Sequence, residues 1–289
     1  MHVSQENIKA ERLAVFQSHT RPPSTTNLTP PATLANMRGP VSEVEEWRGP
    51  EADDFGHTVV VFMRNGKLYR TRHPIRMSHA NIDDLPLPEE PIPEEHFCGE
   101  CQRDPLTIAP SPPPPDAFIK MPQPADYDPE YPKSLGQSLA DEAEVYEILK
   151  AHPYPNICVY YGAVRQGDSL TALCLRRHTS SLADLVQQGA ELDAAKVLEG
   201  ITAGVKHLHS LGLVHNDLNP DNIMLGEDEV PVLVDFDSCG RVGEPMGSKG
   251  GTPGWERPWS VSTITEERDI YALELLDRFL RGEQVVDQV

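Results

Sequence analysis

The stretch "LGLVHNDLNPDNIML", residues 211–225, decides how this chain is read. It carries His215, Asp217 and Asn222 in the spacing H-x-D-x-x-x-x-N. Upstream, Leu198, Ile201, Val205 and Leu208 recur at spacings of three, four and three, which is one face of a helix. That helix is expected to begin after Asp193 and to stop at Gly212, a natural helix terminator. Downstream, "NIML" and "VPVLVDF" read as two short β runs joined by a Gly-Glu-Asp turn. The second run ends on Asp235, thirteen residues after Asn222, so its carboxylate can face the loop. Two carboxylates and an amide oxygen are a donor set that suits Mg²⁺.

Working outward, "SLADEAEVYEILKAHPYPNI" reads as a helix with Ser138 as N-cap and Asp141 three residues on. Val145, Tyr146 and Leu149 share one face of it. "DAFIKMP", "ICVYYGAV" and "SLTALCLRR" read as strands, and "ERDIYALELLDRFLRG" as a closing helix. Residues 57–72, "HTVVVFMRNGKLYRTR", hold two β-type runs about Asn65-Gly66, the strongest short hairpin signal. Residues 1–53 are polar and hold six prolines, so they read as flexible, with a short helix near Glu6 to Gln17. Residues 82–116 alternate acids with prolines and read as a loop or polyproline II linker.

Composition narrows the class. The chain has 289 residues, 38% of them apolar, with 28 prolines, which suggests a folded core with irregular segments. The net charge of −20 argues against a non-specific nucleic-acid or anionic-membrane partner, because such a surface is repelled by phosphate. Five cysteines do not form a disulfide framework. No run approaches the length of a membrane span, and the N-terminus lacks an apolar signal region. A monomeric, soluble intracellular protein, cytoplasmic or nuclear, is expected. "HFCGEC" pairs Cys98 and Cys101 near His96, but no second pair completes a zinc site. "GSKGGTPG" does not match the phosphate-binding G-x-x-x-x-G-K-[ST] pattern.

In order, "HLHSLGLVHNDLNPDNIML", "VDFDSCG", "GTPGWERP" and "RDIYALELL" resemble the protein kinase superfamily. The resemblance runs from about Ala117 to the C-terminus. It implies an α+β, two-lobed kinase-like fold with a small β-rich N-lobe and a shortened helical C-lobe. Residues 54–289 would form this domain, with a proline-rich insertion at about 82–116. It also implies ATP and Mg²⁺ as cofactors. By the same resemblance, Asp217 is the catalytic base, Asn222 and Asp235 hold the metal, and Lys120 of "AFIK" grips nucleotide phosphates with Glu142 as its partner. His215 and Phe236 resemble members of an apolar stack, and Asp269 a buried carboxylate that binds the loop backbone.

The chain departs from that pattern at several places. Asn216 replaces an arginine that contacts activation-loop phosphate, and Asn219 replaces the loop lysine that neutralises the transferring phosphoryl group. Asp237 replaces a glycine, which either strains the backbone or adds a donor for a second cation. No G-x-G-x-x-G precedes Lys120, and no glutamate of an A-P-E motif is in register. The hairpin about Asn65-Gly66 is a candidate for the first two strands of the N-lobe. Transfer of the ATP γ-phosphate to a Ser or Thr hydroxyl is therefore the leading expectation. A pseudokinase interaction module and a small-molecule kinase of the aminoglycoside phosphotransferase type are the alternatives.

Overall fold

The computed structural model describes residues 40–48, 54–64, 67–74, 90–100, 106–129, 131, 133–226, 229–247, 251–252, 254–256, 262–283 and 285. The expected helix at Glu6 to Gln17, the Asn65-Gly66 dipeptide, Cys101 and Lys249 lie outside these residues. Two compact units are present, residues 1–96 with 123–128, and residues 97–122 with 129–289.

The first unit is an antiparallel sheet in the order β1-β2-β3-β4. Its strands are Pro40–Arg48 (β1), Asp54–Arg64 (β2), Lys67–His73 (β3) and Glu90–Pro91 (β4). The hairpin expectation is met in its strands, which pair from Thr58 opposite His73 to Arg64 opposite Lys67. Val59, Val60 and Val61 of β2 are all buried. Successive strand residues face opposite ways, so both faces of β2 are covered. Buried Arg70 pairs with Glu90 at 2.8 Å, donates to the Tyr127 carbonyl and lies over the Tyr127 ring.

Three expectations need correction here. Residues 40–48 form a strand, because the apolar run in β2 carries hydrogen-bonding edges on both sides and proline count says nothing about pairing. The 54–73 hairpin does not supply strands to the sheet that carries Lys120, since β2 is bonded by β1 and β3, and β3 by β4. The stretch at 82–116 is more than a linker: it contributes β4 here and a strand to the second unit.

In the second unit, Ser169–Arg176 (β8) is the central strand. Tyr160–Gln166 (β7) pairs along it, and Gly99–Glu100 (β5) and Ala117–Lys120 (β6) pair with successive parts of it. Helix α1, Leu135–Ala151, packs on this sheet through Leu139, Ala143 and Tyr146. Its N-cap is Ser134, which accepts from the Gln137 amide, not Ser138. The same Ser-x-x-polar logic operates one turn earlier than expected. Gly99 and Gly136 make the packing possible: a Cβ on Gly136 would lie 2.2 Å from the Cys98 backbone.

The helical lobe follows, with α2 at Leu182–Gln187 and α3 at Ala194–Ser210. As the periodicity requires, Ile201, Val205 and Leu208 of α3 are buried, Asp193 caps it, and Gly212 follows in the left-handed region at φ 72°. Short strands Leu213–Val214 (β9), Ile223–Leu225 (β10), Pro231–Leu233 (β11) and Gly240–Arg241 (β12) then form two pairs, β9 with β12 and β10 with β11. Helix α4, Glu267–Leu280, buries Asp269, Ala272, Leu275 and Leu276. A small sheet with one helix beside a mainly helical half is the α+β, two-lobed arrangement expected. Among the described residues, no helix is long and apolar enough to cross a membrane.

Candidate active site

The β10–β11 hairpin sets the geometry. Ile223 pairs with Leu233, and the Val234 amide donates to the Asn222 carbonyl at 3.1 Å. This register brings Asn222 and Asp235 to neighbouring strand ends. Asp235 then takes a left-handed φ of 61°, which aspartate tolerates better than most residues. Its Oδ1 accepts from Lys120 Nζ at 2.8 Å.

Lys120 is gripped from its other side by Glu142 of α1, at 2.8 and 2.7 Å to Oε1 and Oε2. Glu142 is 1% exposed and also accepts from the Phe236 amide at 3.1 Å. Burial pushes its carboxyl up to about 7, against the pull of Lys120 and with the help of Asp235 and Asp237. Burial works to lower the Lys120 value, but Asp235, Glu142 and Asp237 outweigh it and hold the ammonium well above the lysine range. One ammonium thus stands among three carboxylates, an excess of negative charge that favours a cation.

Asp217 is held by four donors. Its Oδ1 accepts from the Thr252 amide and hydroxyl, both at 2.7 Å, and from Asn219 Nδ2 at 3.2 Å. Among the described residues, its Oδ2 accepts only from Asn222 Nδ2, at 3.1 Å. Asn222 thereby commits its N–H groups to Asp217, so its amide oxygen is the atom that could face a metal. Asn219, 3% exposed, also donates to Thr252 Oγ1 at 2.9 Å. Its Oδ1 caps the turn 220–222 by accepting from the Asp221 and Asn222 amides at 2.9 and 3.1 Å. The residue read as the site of a missing charge is therefore a clamp on Asp217.

The remaining departures also acquire local roles. Asn216 adopts φ 66° and donates to the Ser238 carbonyl at 2.9 Å, a neutral tie in place of a charged one. Asp237 is not among the left-handed residues, so aspartate costs no strain there; it accepts from Ser238 Oγ at 3.1 Å. Glu256 of "GTPGWERP" accepts from the Gly251 amide at 3.2 Å and pairs with Arg268 of α4 at 3.7 Å.

Behind the site, Asp269 is 1% exposed and accepts from the His215 and Asn216 amides at 2.9 and 3.0 Å. His209 Nε2 bonds the same carboxylate at 2.9 Å. An aromatic column runs from Tyr160 through Tyr146 and Phe236 to His215, with successive ring centroids 5.3, 5.2 and 5.1 Å apart. All six residues singled out for chemistry, Lys120, Glu142, Asp217, Asn219, Asn222 and Asp235, lie in this one unit, linked by the bonds above. Sequence reasoning missed Thr252, His209 and Tyr160, and it placed Tyr146 on the apolar helix face without its part in the aromatic column. Tyr146 stands one helical turn after Glu142, a spacing that marks it as sharing the inner face.

The residues fit the groups that the resemblance implies. Asn222 and Asp235 offer hard oxygen donors, few enough that phosphate and water must complete the shell, as Mg²⁺ prefers. Lys120 is the cation that could face a phosphate there. Among the described residues, no cluster of three or more His, Cys, Asp and Glu forms a separate metal site.

Residues 125–283, more than half the chain, match the protein kinase domain family. The serine/threonine-protein kinase/endoribonuclease IRE1 of Hypocrea jecorina (strain QM6a) is 37% identical over 131 residues, 38% of this chain and 10% of that protein. The serine/threonine-protein kinase pakA of Talaromyces marneffei is 29% identical over 136 residues, 45% of this chain and 21% of that protein. The serine/threonine-protein kinase PknG of Mycobacterium leprae is 40% identical over 82 residues, 28% of this chain and 10% of that protein. The matched region spans between a tenth and about a fifth of the length of these relatives. With its loop, the neighbouring Asn222 and Asp235 and the lysine–glutamate pair arranged as described, the chain belongs to the protein kinase family.

Proposed function

We propose that the chain is an atypical protein kinase that transfers the γ-phosphoryl group of ATP to a Ser or Thr hydroxyl. The observation that carries this reading is Lys120, held between Glu142 and Asp235 in the same unit that pairs Asn222 with Asp217. Mg·ATP, when bound, supplies the phosphoryl group and part of the charge neutralisation. Lys120 donates to phosphate oxygens, and Glu142 fixes its direction. Asn222 and Asp235 would hold the metal through their oxygens. Asp217 presents Oδ2 to the substrate hydroxyl, because Oδ1 is already filled by three donors. As the hydroxyl oxygen bonds to phosphorus and the bond to the ADP oxygen breaks, the hydroxyl proton passes to Asp217. The names of the matched relatives, all serine/threonine-protein kinases, support the choice of acceptor.

Purified protein with Mg·ATP and a generic Ser/Thr protein substrate tests the reading. Slow phosphate transfer is expected, abolished by Asp217→Asn with the fold retained. Transfer that survives Asp217→Asn would sink the mechanism. A second reading, a non-catalytic interaction module, is favoured by one observation: Asn219, at the position where a charged side chain is expected, is neutral and spends its amide on Asp217, Thr252 and the turn 220–222. Mg·ATP binding without turnover would select it.

A further inference from the structure

The face of β6 that carries Lys120 also carries Phe118, because residues two apart on a strand share a face. The register pairs Phe118 with Leu175 and Lys120 with Leu173. Both leucines are buried, whereas Phe118 is 38% exposed. Phe118 is also held in place from outside. The Arg177 guanidinium lies 5.9 Å from its ring centroid, within cation–π range. That guanidinium is anchored by two bonds to the Ala117 carbonyl, at 3.2 and 2.9 Å, and the Arg177 amide donates to the Asp116 carbonyl at 2.7 Å. Arg177 therefore braces the ring at the outer end of β6, two residues before Lys120.

A nucleotide held by its phosphates at Lys120 and Asp235 would have to extend its base away from the buried side of Lys120. Towards α1 the space is filled by Glu142, Tyr146 and Phe236, all buried. Back along β6, about 7 Å from Lys120 at the rise of an extended strand, it meets Phe118. An apolar ring at that distance occupies the volume that a base would need.

We propose that Phe118, with Arg177 over it, fills the base end of the cleft, so that the chain holds a nucleoside triphosphate by its phosphates and metal and does not read the base. This rests on the nucleotide-binding reading above and specifies which part of the ligand that site takes. Calorimetric titration of the full chain in Mg²⁺ with ATP, GTP and inorganic tripolyphosphate tests it. Wild type is expected to bind the three within about twofold of one another. Phe118→Ala is expected to bind ATP about tenfold tighter, the gain from seating one ring's worth of apolar surface, with tripolyphosphate unchanged. Arg177→Ala, which frees the ring without removing it, should give a smaller gain of the same kind.

Wild type that prefers ATP to tripolyphosphate by tenfold or more overturns the proposal. So does a Phe118→Ala protein whose ATP affinity equals that of wild type, while the nucleotide site itself stands. Absence of binding for all three ligands in both proteins overturns the proposal and the nucleotide reading together. In the Phe118→Ala background, Asp235→Ala should abolish the metal-dependent part of binding. Persistence of that part, with the base gain intact, would refute the metal assignment alone and support Phe118 as the plug.

Discussion

Two substitutions at Asn219 separate the two jobs of its amide. The oxygen caps the turn 220–222, and the nitrogen clamps Asp217 and Thr252. Asn219→Ala removes both functions. A lost cap costs about 1 kcal/mol and two lost donated bonds about 1 kcal/mol each, so about 3 kcal/mol in all. For a body of this size that lowers Tm by roughly 6 to 12 °C. Asn219→Asp keeps the cap, since aspartate caps as well as asparagine. It also places a second carboxylate where Nδ2 now stands, 3.2 Å from Asp217 Oδ1. Two like charges about 4 Å apart repel by about 4 kcal/mol near a protein surface, on top of the two lost bonds. The aspartate variant should therefore melt below the alanine variant at pH 8 although it is the better cap, and should recover part of the gap at pH 5 as the carboxylates take up protons. Thermal melts followed by circular dichroism at the two pH values decide it. An aspartate variant that melts at or above the alanine variant at pH 8 would refute the clamp and leave Asn219 as a cap only.

Asn219→Lys should raise Mg·ATP turnover about tenfold while lowering Tm by several degrees, because lysine restores charge but cannot cap; unchanged turnover would show that position 219 does not meet the phosphoryl group. The Glu142 carboxyl titrates at about 7 in the fold against 4.5 for a free glutamate. Between these values the folded protein keeps a proton that the unfolded chain has released, so this group's contribution to stability falls as pH rises through that range. The metal-free wild type should show that decline relative to Glu142→Gln in paired melts, and parallel pH profiles would contradict it. Gly136→Ala should push β5 off α1, because its Cβ would meet Cys98 and Gly99 backbone at 2.2 to 2.4 Å; hydrogen exchange at residues 98–100 should then accelerate, and unchanged protection would show that the contact yields easily.

The helical half was legible because its signals are local or repeat at fixed spacing. The apolar spacing in 198–208 fixed α3, and the interval from Asn222 to Asp235 is a hairpin's worth of chain, which returns the second residue to the first. Asn219 was readable only as a departure. Its role depends on Thr252, which lies 33 residues away and carries no spacing signal. The segment 97–109 was read as linker because a two-residue strand and a single bridge, Ile108 with Ala163, leave no periodicity in the sequence. The 40–48 strand was missed because pairing is a property of the partner, and β2 offered an edge that proline counting ignores.

That same segment 97–109 has a thermodynamic consequence for ligand binding. It ties α1 in three ways: through the Gly99–Gly136 backbone contact, through Thr107, whose amide and hydroxyl donate to Glu147 at 2.6 and 2.8 Å, and through the sheet it joins at Ala163. Glu142 rides on that helix, so its position on Lys120 is set before any ligand arrives. A protein whose binding-competent form is rare loses affinity in proportion to that rarity. Here the Lys120–Glu142 pair stands assembled without ligand, so the dissociation constant of a triphosphate that binds at Lys120 should carry no penalty for forming that pair. Weak affinity in this chain would then report on the shape of the cleft, and not on the cost of assembling it.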